Sequence, residues 1–504
     1  MIGRLLSFSG RYRILHLTWF AFFLTFVIWF NFAPLATTIQ EQMGLSDNQI
    51  RTIGICNVAL TVPARVILGM LLDRYGPRLT FSWLLILSTI PNLMFAFAPS
   101  FNMLVASRLL VGIIGGGFVI GIRMVSEWFP PREVGFAEGI YGGWGNFGSA
   151  FSSLTLATVA GWLAFGGSDL NWRLAIALTG IIGGIYGVIY LFSVQDSPPG
   201  RTYHKPERHG GMEITSQRDF WLLSLMSVPP LAVLGVLAFK LENVGFFSVG
   251  ARNAVWAILV VVYLVQVYRA FQVNREVVTG QKRCPAEDRY PFRQVAMLEL
   301  TYVTNFGSEL AVVSMLPAFF ERTFSLSPQL AGFFGAGYAV MNLISRASGG
   351  LLSDRMGSRK WTMVALLLIM GVTYLMMGTI NAAWPILLAV ATSMLASFFV
   401  QAAEGSTYSI VPLVKKRLTG QISGLVGAYG TVGAVAYTTI YSYLPSTNTG
   451  DAIFFQVLGI AGLIVGFLCV FFLQEPPNSF AADYEGFGSE AAMEEATAQA
   501  ELRE

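Results

Sequence analysis

VALTVPARVILGMLLDRYGPR (58–78) and YAVMNLISRASGGLLSDRMGSR (338–359) are two copies of one segment, each with an arginine deep inside an apolar run. Aligning Arg65 with Arg346 matches residues 65–78 with 346–359, and seven of the fourteen positions agree: Arg, Gly, Leu, Asp, Arg, Gly, Arg. In both copies the arginine precedes a glycine by four residues and an aspartate by eight. A charge at the centre of a bilayer costs about 2.5 kcal/mol even on lenient scales, so it persists there for a function. Two of them, related by internal duplication, predict an anion site on a pseudo-twofold axis.

The rest of the chain gives these arginines a hydrocarbon setting. Of 504 residues, 54% are hydrophobic and 12% charged, against about 25% charged in soluble domains. The apolar residues fall into runs of roughly twenty, enough to cross about 30 Å as a helix. The fold expected is an all-α polytopic membrane protein. Six spans are predicted at about 14–36, 50–72, 79–98, 102–126, 135–161 and 174–193. Six more are predicted at about 294–319, 329–352, 361–380, 383–411, 420–442 and 451–473.

A second internal match supports duplication. GIYGGWGNFG (139–148) in span 5 aligns with GLVGAYGTVG (424–433) in span 11, with four glycines coincident and Trp144 on Tyr429. The offset is 285 residues, against 281 for the arginine segment. Glycines three residues apart let helices approach closely. Two six-helix halves related by an axis along the membrane normal form a transporter plan that holds substrate near the midplane.

Four regions follow: a bundle at 1–194, a linker at 195–293, a second bundle at 294–474 and an acidic cytoplasmic tail at 475–504. The linker holds two extra hydrophobic segments, about 220–239 and 251–270. Pro229 and Pro230 remove helical donors, so the first is either a full crossing or part of a re-entrant or interfacial hairpin; fourteen membrane segments are expected. Basic residues set orientation. Arg4, Arg11 and Arg13, then Arg74/Arg78, Arg132, Arg355/Arg359/Lys360 and Lys415/Lys416/Arg417 mark alternate loops, while the opposite loops hold little beyond Arg51, Arg173 and Arg322. Both termini are placed in the cytoplasm and the chain in the plasma (inner) membrane, as a monomer.

Other classes are disfavoured. Cys56, Cys284 and Cys469 are scattered, so neither a disulfide framework nor a zinc site is indicated. The net charge of +3 reports topology rather than nucleic-acid binding. No nucleotide loop, metal cluster or nucleophile with a base appears, and His16, His204 and His209 lie in or near loops. The chain is read as neither an enzyme nor a cofactor binder.

GMLLDRYGPR and GGLLSDRMGSR resemble the loop signature of the major facilitator superfamily, and Arg108 in SRLLVGIIGGG resembles its span-4 motif. GGWGNFG in span 5, the paired arginines of spans 2 and 8, TYVTNFGSELAVVSMLPAFF and the stretch through Lys360 resemble the nitrate/nitrite porter family, closest to its cyanobacterial nitrate permeases. The resemblance covers both halves but not the hydrophobic insert at 220–270. It implies that Arg65 and Arg346 are the principal substrate ligands, with Asn146 in span 5 and Tyr302 at the start of span 7. Where span 11 of that family carries an asparagine, this chain has Thr431. Asp73 and Asp354, beside Arg74 and Arg355, imply a cytoplasmic gate latch.

The chemistry suits the anion. Nitrate is flat, singly charged and protonated only in strong acid. A planar guanidinium offers paired in-plane hydrogen bonds and stays charged, where an ammonium is a point charge. Arg65 sits about eight residues, roughly 12 Å, inside span 2, and Arg346 is equally deep in span 8. Bridging helices or anchoring gate carboxylates is the plainer alternative. Asn146 is a ligand or an interhelical hydrogen bond, and Tyr302, with Phe306 one turn later, is a substrate wall or core packing.

A potential of −100 mV opposes nitrate import by about 2.3 kcal/mol. Accumulation then needs two or more protons or exchange for an outgoing anion. Glu309 in span 7 and Glu404 in span 10 are the proton-coupling candidates, Glu309 preferred as nearer mid-membrane, unless each pairs with an arginine such as Arg108 or Arg123. Glu127 is expected to pair with Arg123. The reading is a secondary active transporter importing nitrate, and nitrite, by alternating access with proton coupling. An exchanger or symporter of another small anion, or a membrane nitrate receptor using the 195–293 region, are the alternatives.

Overall fold

Backbone amides in hydrocarbon must find partners within their own segment, which leaves the helix as the economical answer for isolated apolar runs. The computed structural model describes residues 5–165, 170–201, 203, 211–285, 288–445 and 447–481. Arg4, His204, His209 and the tail past residue 481 lie outside them. Span 1 is Gly10–Phe30, extended by a short turn and the helix Ala36–Met43. Span 2 is Asp47–Ala59 with Thr61–Tyr75, span 3 Pro77–Ala96, span 4 Phe101–Val111 with Gly117–Trp128, span 5 Val134–Trp162 and span 6 Trp172–Ser193. The second half runs as span 7 Phe292–Phe324, span 8 Pro328–Val340 with Asn342–Arg355, span 9 Arg359–Met377, span 10 Ile386–Val414, span 11 Thr419–Tyr443 and span 12 Asn448–Phe472.

Between the halves lie two further helices. The first breaks at Ser227, one residue before the Val228–Asn243 stretch that begins with the proline pair; the second is Val249–Val273. Both are long and apolar enough to cross a membrane. Eleven helices among the described residues meet that measure; of the twelve spans, 5, 8 and 11 do not. Glycine, serine and tyrosine dilute these three, and spans 5, 8 and 11 each pack on a helix of the other half.

Two interruptions depart from the expected unbroken spans. Span 2 breaks at Leu60 and span 8 at Met341; the second position is the duplicate of the first. Pro63 explains the first, since it withholds the amide that would bond Ala59. Each arginine therefore lies in the opening turns of a fresh half-helix, whose amino end carries partial positive charge. In span 4 a tighter turn over Gly112–Gly116 replaces α-helix, and Gly112 accepts a hydrogen bond from the Thr61 hydroxyl at 2.6 Å.

The halves meet where span 5 packs on span 8 and span 11 on span 2. Glycine permits the approach. A Cβ on Gly139 would stand 2.6 Å from the Arg346 carbonyl oxygen, and one on Gly424 would stand 2.6 Å from that of Arg65. One turn on, a Cβ on Gly142 would meet Arg346 Cδ at 2.9 Å and one on Gly427 would meet Arg65 Cδ at 3.2 Å. The two glycine ladders thus face the two arginines in duplicate.

The candidate site between the halves

Arg65 is 1% exposed and Arg346 2%. The Arg65 Nε donates to the Gly115 carbonyl at 3.2 Å and Nη1 to the Gly427 carbonyl at 2.5 Å. Its guanidinium carbon lies 5.7 Å from the Phe118 ring centre and 5.2 Å from that of Phe306. Arg346 addresses the same two rings, at 5.4 Å and 5.9 Å. Phe118 comes from the first half and Phe306 from the second, so the two cations bracket one aromatic pair on the midline. Each such contact contributes about 2 kcal/mol when desolvated, short of offsetting a buried charge. Tyr302 stacks between the rings, 6.2 Å from Phe118 and 4.9 Å from Phe306.

The two arginines are not electrically alike. Arg65 binds carbonyls and ring faces. Arg346 Nη2 donates to the Tyr302 hydroxyl at 3.1 Å and forms an ion pair with Glu404 Oε2. Its Nη1 has no hydrogen-bond partner. Glu309 accepts from Asn342 Nδ2 at 2.5 Å and from Gln401 Nε2 at 3.1 Å. Neither acid meets Arg108 or Arg123. Arg108 donates to Asn31 Oδ1 at 2.9 Å and to the Trp29 carbonyl, while Arg123 pairs with Glu127 at 3.1 Å, the spacing expected of residues four apart on a helix.

Asn146 lies one turn beyond Gly142 on span 5, and Thr431 one turn beyond Gly427 on span 11. Both side chains are buried, and Asn146 Oδ1 and Thr431 Oγ1 lack hydrogen-bond partners. The structure thus brings Arg65, Arg346, Tyr302, Phe306, Glu309 and Glu404 into one cluster, with Asn146 and Thr431 on the helix faces next to it. Phe118, Asn342, Gln401 and Tyr408 also belong to it and were missed. Asn342 lies four residues before Arg346, a spacing that could have drawn notice; Phe118, Gln401 and Tyr408 sit in ordinary span sequence with no signal.

The two aspartates expected at the latch bond across the halves. Asp73 accepts from the Gly420 and Gln421 amides at 3.0 and 2.9 Å, and Asp354 from the Gly135 and Phe136 amides at 3.0 and 2.7 Å. Each caps the first turn of a helix in the opposite half, Asp73 on span 11 and Asp354 on span 5, where a carboxylate complements unpaired amides and helix dipole. Arg74 and Arg355 are exposed. The cations at the aspartates are Arg123, 3.9 Å from Asp73, and Arg359, 2.7 Å from Asp354. Glu475 caps span 9 by accepting the Arg359 amide at 3.0 Å, as Asp196 accepts the Arg78 amide at 2.7 Å on span 3. Lys416, in the loop between spans 10 and 11, is pushed down to about 6 by burial. His16 is also placed differently: it lies within span 1, accepting from Trp19 Nε1 at 2.9 Å and bonded to the Leu5 carbonyl at 2.8 Å.

Among the described residues no group of three or more His, Cys, Asp or Glu could hold a metal ion. The model of the Major Facilitator Superfamily matches residues 18–274 and 298–500. The nitrate/nitrite transporter NrtP of a Picosynechococcus species is 58% identical over 519 aligned positions, covering 96% of this chain and 97% of its own. The chain belongs to the nitrate/nitrite porter family of that superfamily. A second NrtP, from Nostoc punctiforme, is 54% identical over 98% of each chain. Alignments this complete leave too few residues aside to omit the 220–270 insert, so the expectation that the insert stands outside the likeness is corrected. The proton:xylose symporter XylE shares the porter's fold with a TM-score of 0.61 over 92% of this chain and 96% of its own, at 14% identity. The porter is thus a transporter and not an enzyme.

Proposed function

We propose that this porter imports nitrate, and nitrite, by alternating access with proton symport. One observation carries the reading: guanidinium groups from opposite halves flank the same ring pair, Phe118 and Phe306, at the midline. A flat oxyanion between them gains in-plane donors above and below apolar walls. In this reading Arg65 and Arg346 are the ligands, Tyr302 and Phe306 the wall, and Asn146 and Thr431 supply further polar contacts. The names of the cyanobacterial relatives agree.

The halves 1–194 and 294–474 rock about the span 5–8 and 2–11 contacts, and the end latched by Asp73 and Asp354 is the cytoplasmic one, as the basic loops indicate. The porter acts in the plasma membrane as a monomer with both termini inside. Isotopic nitrate flux into proteoliposomes, with voltage and pH gradients imposed separately, tests this. An acid exterior should drive uptake. Uptake unchanged without a proton gradient but dependent on internal nitrite would replace symport by exchange, and failure of unlabelled nitrate to compete would remove the anion.

A further inference from the structure

The duplicated arginines have unequal surroundings, and the inequality falls on one side chain. Arg346 Nη2 already holds Glu404, a carboxylate whose two oxygens are arranged much like two oxygens of nitrate. A guanidinium edge that donates to a carboxylate is unavailable to a second anion. Glu404 is itself fully buried, and Oε1 takes no donor from any described group. The groups facing it are Arg346 from span 8, Glu309 and Tyr302 from span 7, Tyr338 from span 8 and Tyr374 from span 9. Tyr338 and Tyr374 share a hydrogen bond at 2.8 Å, and Tyr374 donates to Ser308 at 2.9 Å, so neither competes for Glu404. Arg346 is the one cation in that set.

We propose that nitrate and Glu404 compete for Arg346, so that nitrate binds as Glu404 takes up a proton and leaves when Glu404 gives it up. This deepens the nitrate symport reading and rests on it. With Glu404 neutral, the Arg346 fork turns to the anion; when nitrate departs, the proton leaves Glu404 and the ion pair re-forms. One proton and one nitrate are taken up together, and both are released together. The proton reaches Glu404 from solution, and Glu309 stays held by Asn342 and Gln401. Arg65, which binds no carboxylate, remains the fixed cation of the site.

The test is proton uptake on nitrate binding. Purified full-length porter in weakly buffered detergent solution, titrated with sodium nitrate beside a pH indicator, should take up one proton per nitrate bound, and its apparent Kd should rise about tenfold per pH unit above the titration of Glu404. Glu404→Gln should bind nitrate with no proton uptake and a pH-independent Kd, and Glu404→Asp should restore the uptake. Nitrate binding to the unmodified porter without proton uptake overturns the switch and leaves the nitrate reading standing. The same follows if Glu404→Gln keeps the pH dependence. No nitrate binding at any pH overturns both. Because the unmodified porter gives the first result, a variant that fails to accumulate does not remove the test.

Discussion

Lysine in place of Arg65 or Arg346 keeps the charge and loses the fork. At Arg65 it also surrenders one of two carbonyl contacts that aim the head at the rings. A hydrogen bond to a charged group contributes roughly 1.5–3 kcal/mol, so Arg65→Lys and Arg346→Lys should each weaken nitrate binding on the order of 10- to 100-fold while the protein stays folded. Isothermal titration on the purified variants checks this, and unchanged affinity in either would take that arginine out of the site. The residues themselves were readable, because a charge in a hydrocarbon run stands out in one dimension. Glu404 was readable as a buried acid but not as the partner of Arg346, since the two are 58 positions apart and meet only when spans 8 and 10 pack.

Among the elements, the crossing of spans 5 and 8, and of 11 and 2, depends on having no side chain at Gly139 and Gly424. Leucine at either would drive carbon into a backbone carbonyl 2.6 Å from the Cβ position. Gly139→Leu and Gly424→Leu should abolish nitrate flux and leave the latched end open, seen as faster thiol labelling of a cysteine introduced beside Asp354. Labelling at the unmodified rate would mean the crossing tolerates the bulk. Glycines at three-residue spacing announced close approach, but which helix approached was not in the spacing. The latch shows the same limit: Asp73 and Asp354 were expected to act with adjacent arginines, yet a helix end from the other half presents two free amides, a better partner than a solvated side chain.

Lys416 provides a pH test of the same closed end. Its folded value of about 6 lies below its ordinary 10.5. Between those values the unfolded chain binds more protons, so stability rises with pH across that window and is lowest, and level, below about 6. Lys416→Met should therefore raise the melting temperature most at pH 6 and below, with the gain fading toward pH 10. A gain that grew with pH would contradict burial as the cause.

For the whole molecule the accounting is electrical. One proton with one nitrate moves no net charge, so voltage would neither drive nor oppose such a cycle; a second proton would make an interior-negative potential a driving force of about 2.3 kcal/mol per 100 mV. Uptake rates in liposomes clamped at 0 and −100 mV with equal pH on both sides decide between these. Acceleration at −100 mV indicates two protons, and no change indicates one.

Hydrophobic run length and the repeated arginine and glycine segments determined the two-half helical plan and the two buried arginines, because hydrocarbon imposes its rules on every residue in order along the chain. The ring pair shared by the arginines, the Arg346–Glu404 pairing and the cross-half caps were decided by packing alone. Each joins groups tens to hundreds of positions apart, and their meeting depends on helix rotation and tilt, which a one-dimensional pattern leaves free.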